Sequence, residues 1–297
     1  MVSVGEIAER VGGQVHGDGS IVVEGACTID RPGEGKICFA NDLAAIAVDP
    51  TAKGAIMLAR GGDGSDPIGT WIEVERPRQA FAVAMSTFFA PARVRAVHPS
   101  AVIDDTAHIG ADVAIGAHCV IDHSVRIGDK TVIGHNVVLG PNVTVGERCV
   151  IGSGCVIGEV GFGLVTAGEN ELLRIPHVGS VVIGDEVEIG AVTTIAAGTI
   201  EPTRVRRGAK LDDHVFVAHN CDIGENVCII ACAEISGSVR IGRNSWIGPN
   251  ATIRDGVSIG PDILVGMGAL VTRSLEEPGT YAGVPAKLIR SKAAHRE

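Results

Sequence analysis

From Ile103 onward an aliphatic side chain recurs every six residues: Ile109, Ile115, Ile121, Ile127, Ile133, Leu139, Val145, Ile151 and Ile157. The register stops at Gly161, resumes at Ile183, Ile189 and Ile195, and after a slip of four residues runs from Val205 to Val271. Across twenty-five repeats no polar residue takes the key position. Four residues after the aliphatic comes a small or β-branched one, as in Ala107, Val113, Cys119, Val125, Thr131 and Val137. Two inward positions in six suit a flat strand ending in a corner, and three such strands close a triangular coil of 18 residues. Coils stacked about 4.8 Å apart give a prism of about eight coils, on the order of 40 Å long. Glycine follows the aliphatic in most repeats (Ile109-Gly110, Ile127-Gly128, Ile241-Gly242), which predicts a turn with unusual backbone angles there.

The rest of the chain lacks this period. Residues 1–97 read as a small α/β domain: a capped helix over Ser3 to Val11, strands over Ile21 to Val23 and Ala55 to Leu58, and an amphipathic helix over Arg78 to Phe89. Residues 98–275 are the prism. Its interruption at 161–180, GFGLVTAGENELLRIPHVGS, must loop outward, because its proline and charges do not fit the wall, and loops on a rigid scaffold commonly carry function. Residues 276–297 leave the prism, and GVPAKLIRSKAAHRE predicts one or two helical turns. The expected fold is mainly β: a parallel β-helix with an N-terminal α/β domain and a short C-terminal helical tail.

Composition agrees. The chain of 297 residues has 40 glycines but only 6 Phe, 2 Trp and 1 Tyr, the usage of many short strands joined by turns. A net charge of −10 argues against nucleic acid as a partner. Eight cysteines include no CxxC pair, and Cys119, Cys149, Cys155 and Cys221 fall on the small inward position, so they read as inert core thiols in a reducing cytoplasm. The start of the chain carries acidic residues and no apolar stretch of a signal peptide. No run approaches the length of a spanning helix. A cytoplasmic protein with no membrane span is expected.

Chemistry concentrates in the segment Leu211 to Gly224. His219 follows the inward Val217 by two residues, so it sits at a corner of the prism and points out. A neutral imidazole there can take a proton at pH 7, while an exposed turn histidine would show the same spacing. Eighteen residues on, the same corner holds Gly237, whose backbone N–H lies about one strand spacing away and can stabilise an oxyanion. His118 and His123 have a spacing found in zinc hydratases built on this prism, but a third ligand is not evident, and both read as corner side chains; no metal is expected. Arg207, Glu225 and Arg243 share one corner on successive coils and predict a charge ladder. The basic run Arg204, Arg206, Arg207 and Lys210 suits an acidic carrier protein, CoA phosphates or simply solvent.

Gly161-Phe-Gly163, Ile175-Pro-His-Val-Gly179, Val182-Ile-Gly-Asp-Glu-Val-Glu-Ile-Gly-Ala191, Ala218-His-Asn220 and Ile235-Ser-Gly-Ser238 occur in that order. With His16-Gly-Asp-Gly19 and the Phe39/Asn41 stretch, the chain resembles the UDP-3-O-acylglucosamine N-acyltransferases of lipid A synthesis over nearly its whole length. The resemblance implies a left-handed β-helix, a homotrimer, and an acyl transfer from a thioester to the amino group of a UDP-linked sugar. It makes His219 the general base and Gly237 the oxyanion donor, with Asn220 beside them as a substrate contact. It also gives the N-terminal domain the uracil, through Phe39 and Asn41. Lys287, Arg290 and Lys292 are the expected donor contacts, and no cofactor is implied beyond the thioester, which is acyl carrier protein or CoA bound.

The sequence also departs from that pattern. The family's tyrosine after the phenylalanine is absent, and Thr193-Thr-Ile-Ala-Ala-Gly198 lacks the usual Asp and Arg. A second family histidine falls on Gly256, and the long C-terminal helical extension is largely missing. Gly283-Val-Pro-Ala-Lys287 resembles the ending of acetyl-CoA-dependent sugar acetyltransferases. The alternatives are therefore acetyl transfer from acetyl-CoA to a different nucleotide-linked amino sugar, a zinc hydratase, and a non-catalytic spacer.

Overall fold

A computed structural model describes residues 1–29, 31, 33–40, 55–58, 69–90, 96–168 and 171–291, with backbone only for 55–58. The chain divides into two compact units, Met1–Ala92 and Arg93–Glu297.

The first unit begins with the helix that its capping residues dictate. Ser3 accepts the Glu6 N–H at 3.2 Å while the Glu6 carboxylate accepts the Ser3 N–H at 2.7 Å, closing a capping box. The helix α1, Val4–Val11, buries Val4, Ile7 and Ala8 and ends at Gly12, whose φ of 68° is the left-handed backbone that glycine adopts freely. A five-stranded sheet runs in the order Gln14–His16, Trp71–Glu73, Ala55–Leu58, Lys36–Ala40, Gly25–Ala26, and only its first pair is antiparallel. Val22–Val23 pairs separately with Val2–Ser3. The second helix, α2, covers Pro77–Ala84 and widens into a π-helical turn at Met85–Phe89. Ile37, Ile72 and Val23 form the core with α1, and Phe39 and Phe81 pack against it.

The second unit is a three-faced parallel β-helix. Each repeat contributes a strand of about two residues, and the strands stack into sheets of ten, nine and eight, two of the ten coming from the tail. Val120 pairs with Val138, Arg126 with Thr144 and Val132 with Val150, so neighbours in space are 18 residues apart in sequence. At the outward excursion the step widens, Thr144 pairing with Val182; at the slip Thr194 pairs with Phe216. The aliphatic positions and the small positions together fill one continuous core. Cys119, Cys149, Cys155 and Cys221 are buried in it, and burial pushes the Cys221 thiol up to about 12. The polar residues inside are satisfied: Thr131 Oγ1 donates to the Gly146 carbonyl at 2.8 Å and accepts the Cys149 N–H at 3.0 Å.

Three expectations are corrected. Except at Gly158, the glycine after the aliphatic is not the residue with unusual angles; the left-handed φ falls two positions later, often on Asn or Asp (Asp112, Asn136, Asn142, Asn220, Asn250), which tolerate it, but also on Lys130, Arg148, Glu186 and Val192. Glycine is required instead by close approach, since a Cβ on Gly128 would lie 2.6 Å from the Gly146 carbonyl carbon of the next coil and 2.7 Å from Glu147 N. The tail is not helical over its described residues. Gly279–Ala282 extends one face in parallel with Leu264–Val265, and Lys287–Ser291 turns back antiparallel to it. The last coil presents unpaired backbone groups that a strand satisfies, and Tyr281 anchors it by burying its ring and donating its hydroxyl to the Glu277 carbonyl at 3.0 Å. The charge ladder also runs the other way, Arg207 and Arg148 both meeting Glu186 rather than Glu225.

The close approach at Gly128 makes a specific cost. Gly128→Ala should lower stability by about 1–3 kcal/mol, the range for overpacking. Gly256→Ala has open space around its added methyl, so its cost comes from φ alone. Chemical denaturation of both variants checks the ranking.

Candidate active site

The strand Phe216–Val217 carries the chain to a corner at which Ala218 is buried, His219 half-buried and Asn220 takes a φ of 61°. Asn220 fixes this corner. Its Oδ1 accepts the Thr199 N–H at 2.7 Å, its Nδ2 donates to Thr199 Oγ1 at 3.1 Å, and its own N–H donates to Thr203 Oγ1 at 2.9 Å. The Asn220 carboxamide thus braces the slip between Ala196 and Thr203, a structural task that its expected substrate role did not include.

One coil on, the Ser238 N–H donates to the His219 carbonyl at 2.9 Å, and the Gly256 N–H donates to the Gly237 carbonyl at 2.9 Å. These bonds stack Gly237 directly on His219. A Cβ on Gly237 would lie 2.8 Å from His219 Cε1 and 3.0 Å from Nε2, so the imidazole occupies the space a side chain would take. The juxtaposition expected from counting eighteen residues is present.

The outward excursion supplies the roof. It forms a hairpin, Leu164–Ala167 with Glu171–Arg174, and its two ends fold back over the corner. A Cβ on Gly161 would meet His177 Nε2 at 2.7 Å and His219 Cβ at 3.1 Å, and one on Gly163 would meet His177 Cε1 at 3.1 Å. Glycine at both positions lets the two imidazoles approach edge to face, with ring centroids 5.1 Å apart and planes at 66°. The His177 Nδ1 lies 3.0 Å from the Ile175 carbonyl. His177 Nε2 and His219 Nδ1 are sealed from solvent and have no hydrogen-bond partner among the described residues.

Burial, and then the neighbouring His177, lower the pKa of His219 below its ordinary 6.5. The ring is therefore neutral at pH 7 and can accept a proton. A half-exposed neutral imidazole stacked on a glycine backbone can accept a proton.

The other expected residues belong to other elements. Phe39 sits half-buried on the strand Lys36–Ala40 with its ring 5.1 Å from that of Phe81; Asn41 lies outside the described residues. Lys287 and Arg290 are exposed on the tail strand, in the sheet formed at the end of the prism three coils past the His219 coil, and Lys292 lies outside the described residues. Gly256 faces open space. His118 takes a left-handed corner position and His123 pairs with Asp122 at 2.8 Å. Among the described residues no group of three or more His, Cys, Asp or Glu is placed to hold a metal. His177 is not among the site residues expected from the sequence, although it lies in Ile175-Pro-His-Val-Gly179, one of the segments that carry the resemblance.

Comparison with known proteins adds an independent line. The family model described as bacterial transferase hexapeptide (six repeats) matches residues 124–159 and 238–273. The chain is 33% identical to a UDP-3-O-acylglucosamine N-acyltransferase of Coxiella burnetii, over 94% of this chain and 87% of that protein. It is 44% identical to one from a Geobacter species, over 80% and 74%. Among solved structures, LpxA from Acinetobacter baumannii superposes with a TM-score of 0.58 at 26% identity, over 65% of this chain and 72% of that one.

The electrostatics of the corner give a direct expectation. NMR titration of His219 should show a midpoint below 6.5. Because the folded site resists a proton that the unfolded chain accepts, its contribution to stability is present above about 6.5 and is lost as pH falls through the folded midpoint.

Proposed function

The chain belongs to the UDP-3-O-acylglucosamine N-acyltransferases of lipid A synthesis, and from that membership we propose that His219 is the base that takes the amine proton during N-acylation of a UDP-linked amino sugar. The observation that carries this reading is the desolvated, neutral imidazole of His219 stacked on Gly237.

The sugar's 2-amino nitrogen attacks the thioester carbonyl, forming the C–N bond, while the carbonyl oxygen gains charge that the Gly237 N–H receives. The Ser238 N–H is already committed to the His219 carbonyl, and the Gly237 N–H is the donor just before it in the chain. His219 accepts the amine proton. Collapse of the intermediate breaks the C–S bond, and His219 returns the proton to the departing thiolate. No cofactor enters; the thioester is a co-substrate.

Three further parts complete the reading. The uridine sits on the N-terminal unit, with Phe39 as the stacking ring and Asn41 nearby. The active enzyme is a cytoplasmic homotrimer, because a corner histidine that is half-exposed in one prism needs a neighbouring prism as the second wall of a thioester groove. The donor is an acyl group on acyl carrier protein, supported by a likeness that spans 94% of the chain. Acetyl-CoA is the alternative donor. It is favoured by the tail, which over its described residues is a hairpin bearing Lys287 and Arg290 rather than helices that would dock a carrier.

His219→Ala should lose roughly 10²- to 10⁴-fold in kcat, with folding and sedimentation unchanged. A variant keeping half its activity would place the base elsewhere, and a fully active 30.6 kDa monomer would remove the trimer groove. Comparing kcat/KM for a hydroxyacyl carrier protein and for acetyl-CoA decides the donor; a preference for acetyl-CoA above about tenfold contradicts the carrier.

A further inference from the structure

We propose that His177 is a positioning residue: its Nε2 is the acceptor for the Nδ1–H of His219, and it thereby holds His219 in the tautomer whose Nε2 is free to act as base. The inference rests on the reading of His219 as the proton acceptor and concerns a residue with no part in that reading so far.

The argument is one of donors and acceptors. A carbonyl oxygen only accepts, so the His177 Nδ1, 3.0 Å from the Ile175 carbonyl, carries the proton of a neutral ring. The tautomer of His177 is thus set by its own backbone two residues away, and its Nε2 is left with a lone pair. That lone pair is buried and unpartnered.

His219 presents the complementary problem. Its Nδ1 is the buried nitrogen, so the nitrogen turned to a substrate is Nε2. For Nε2 to accept a proton, the neutral ring must keep its hydrogen on Nδ1, inside the pocket. A buried N–H without an acceptor is costly, and that cost pushes the hydrogen to Nε2, where it would block the base. Catalytic histidines meet this problem with an orienting acceptor behind the ring. Here the unpartnered atom that can fill the role is His177 Nε2.

The two nitrogens are not hydrogen-bonded to each other, but their rings are neighbours. The rings meet edge to face at 5.1 Å between centroids. Gly161 and Gly163 leave room for the His177 ring to turn, since any Cβ at either would touch it. Such hydrogen bonds are often long before substrate arrives and tighten when it does. Once His219 has taken the amine proton, its Nδ1–H stays turned to the same acceptor. His177 touches neither substrate nor reacting atoms in this scheme.

The experiment uses the full chain, 15N-labelled on histidine, as wild type, His177→Gln and His177→Ala. Gln retains an acceptor in Oε1; Ala does not. Above the His219 midpoint, the 15N shifts of the wild type should show the proton on Nδ1. His177→Ala should move it largely to Nε2 and lower kcat about 10- to 100-fold, with both KM values within about twofold. His177→Gln should restore the Nδ1–H form and most of kcat. Should His177→Ala fail to fold, His177→Leu fills the same space without an acceptor and takes its place. An unchanged His219 tautomer in the acceptor-free variant, or equal kcat losses for Gln and Ala, overturns the proposal. A wild type that transfers no acyl group refutes the function reading, and the tautomer comparison then decides the inference alone.

Discussion

Everything in the second unit depends on the parallel hydrogen-bond ladder between coils. Each strand is too short to be stable alone, so its backbone groups pair with the strand a full coil away. Strands at that spacing leave no room for a Cβ after the aliphatic in many repeats, and glycine takes that position at Gly110, Gly116, Gly128 and Gly134. The same ladder fixes which residues meet across the coils at every corner. His219 lies on Gly237 because the Ser238 N–H reaches the His219 carbonyl, one rung of the ladder. The site is a consequence of the stacking, and its precision is that of a strand, not of a loop.

What the ladder does not supply is the surroundings of the imidazole. Most corners are open to solvent, and a histidine at such a corner has nothing to bury it. At this corner the excursion folds back, bringing Gly161, Gly163 and His177 over the ring, and Asn220 pins the slip from the other side. Burial then lowers the His219 pKa. Two interruptions of the repeat thus desolvate an ordinary turn residue, and both sit where the periodic pattern fails.

The prism was legible in the sequence because its core repeats: one aliphatic and one small side chain per six residues left no other fold that buries them. The meeting of His219 and Gly237 was legible for the same reason, through the period alone. The glycines were seen but misread, since the pattern shows where glycine falls and not whether φ or a neighbour's approach demands it. The tail's composition permits a helix; only the unpaired edge of the last coil makes it a hairpin, and that edge is a tertiary fact. His177 could not be placed, because a segment that leaves the period loses the counting rule that located the other two. In the first unit the capping box at Ser3 announced α1, whereas the strands Gln14–His16 and Trp71–Glu73 pair across more than fifty residues and left no local signal.

The central claim is that the desolvated neutral imidazole of His219 is the proton acceptor in acyl transfer. Its most direct test is the pH dependence of kcat at saturating amino sugar, measured for the wild type beside His219→Ala. The account predicts an acid limb of unit slope in the wild type with a midpoint below 6.5. That midpoint should match the titration of His219 with the amino sugar bound, and the limb should vanish in the variant. An identical acid limb in both proteins would assign the ionisation to the sugar's amine or to another side chain, and would contradict it.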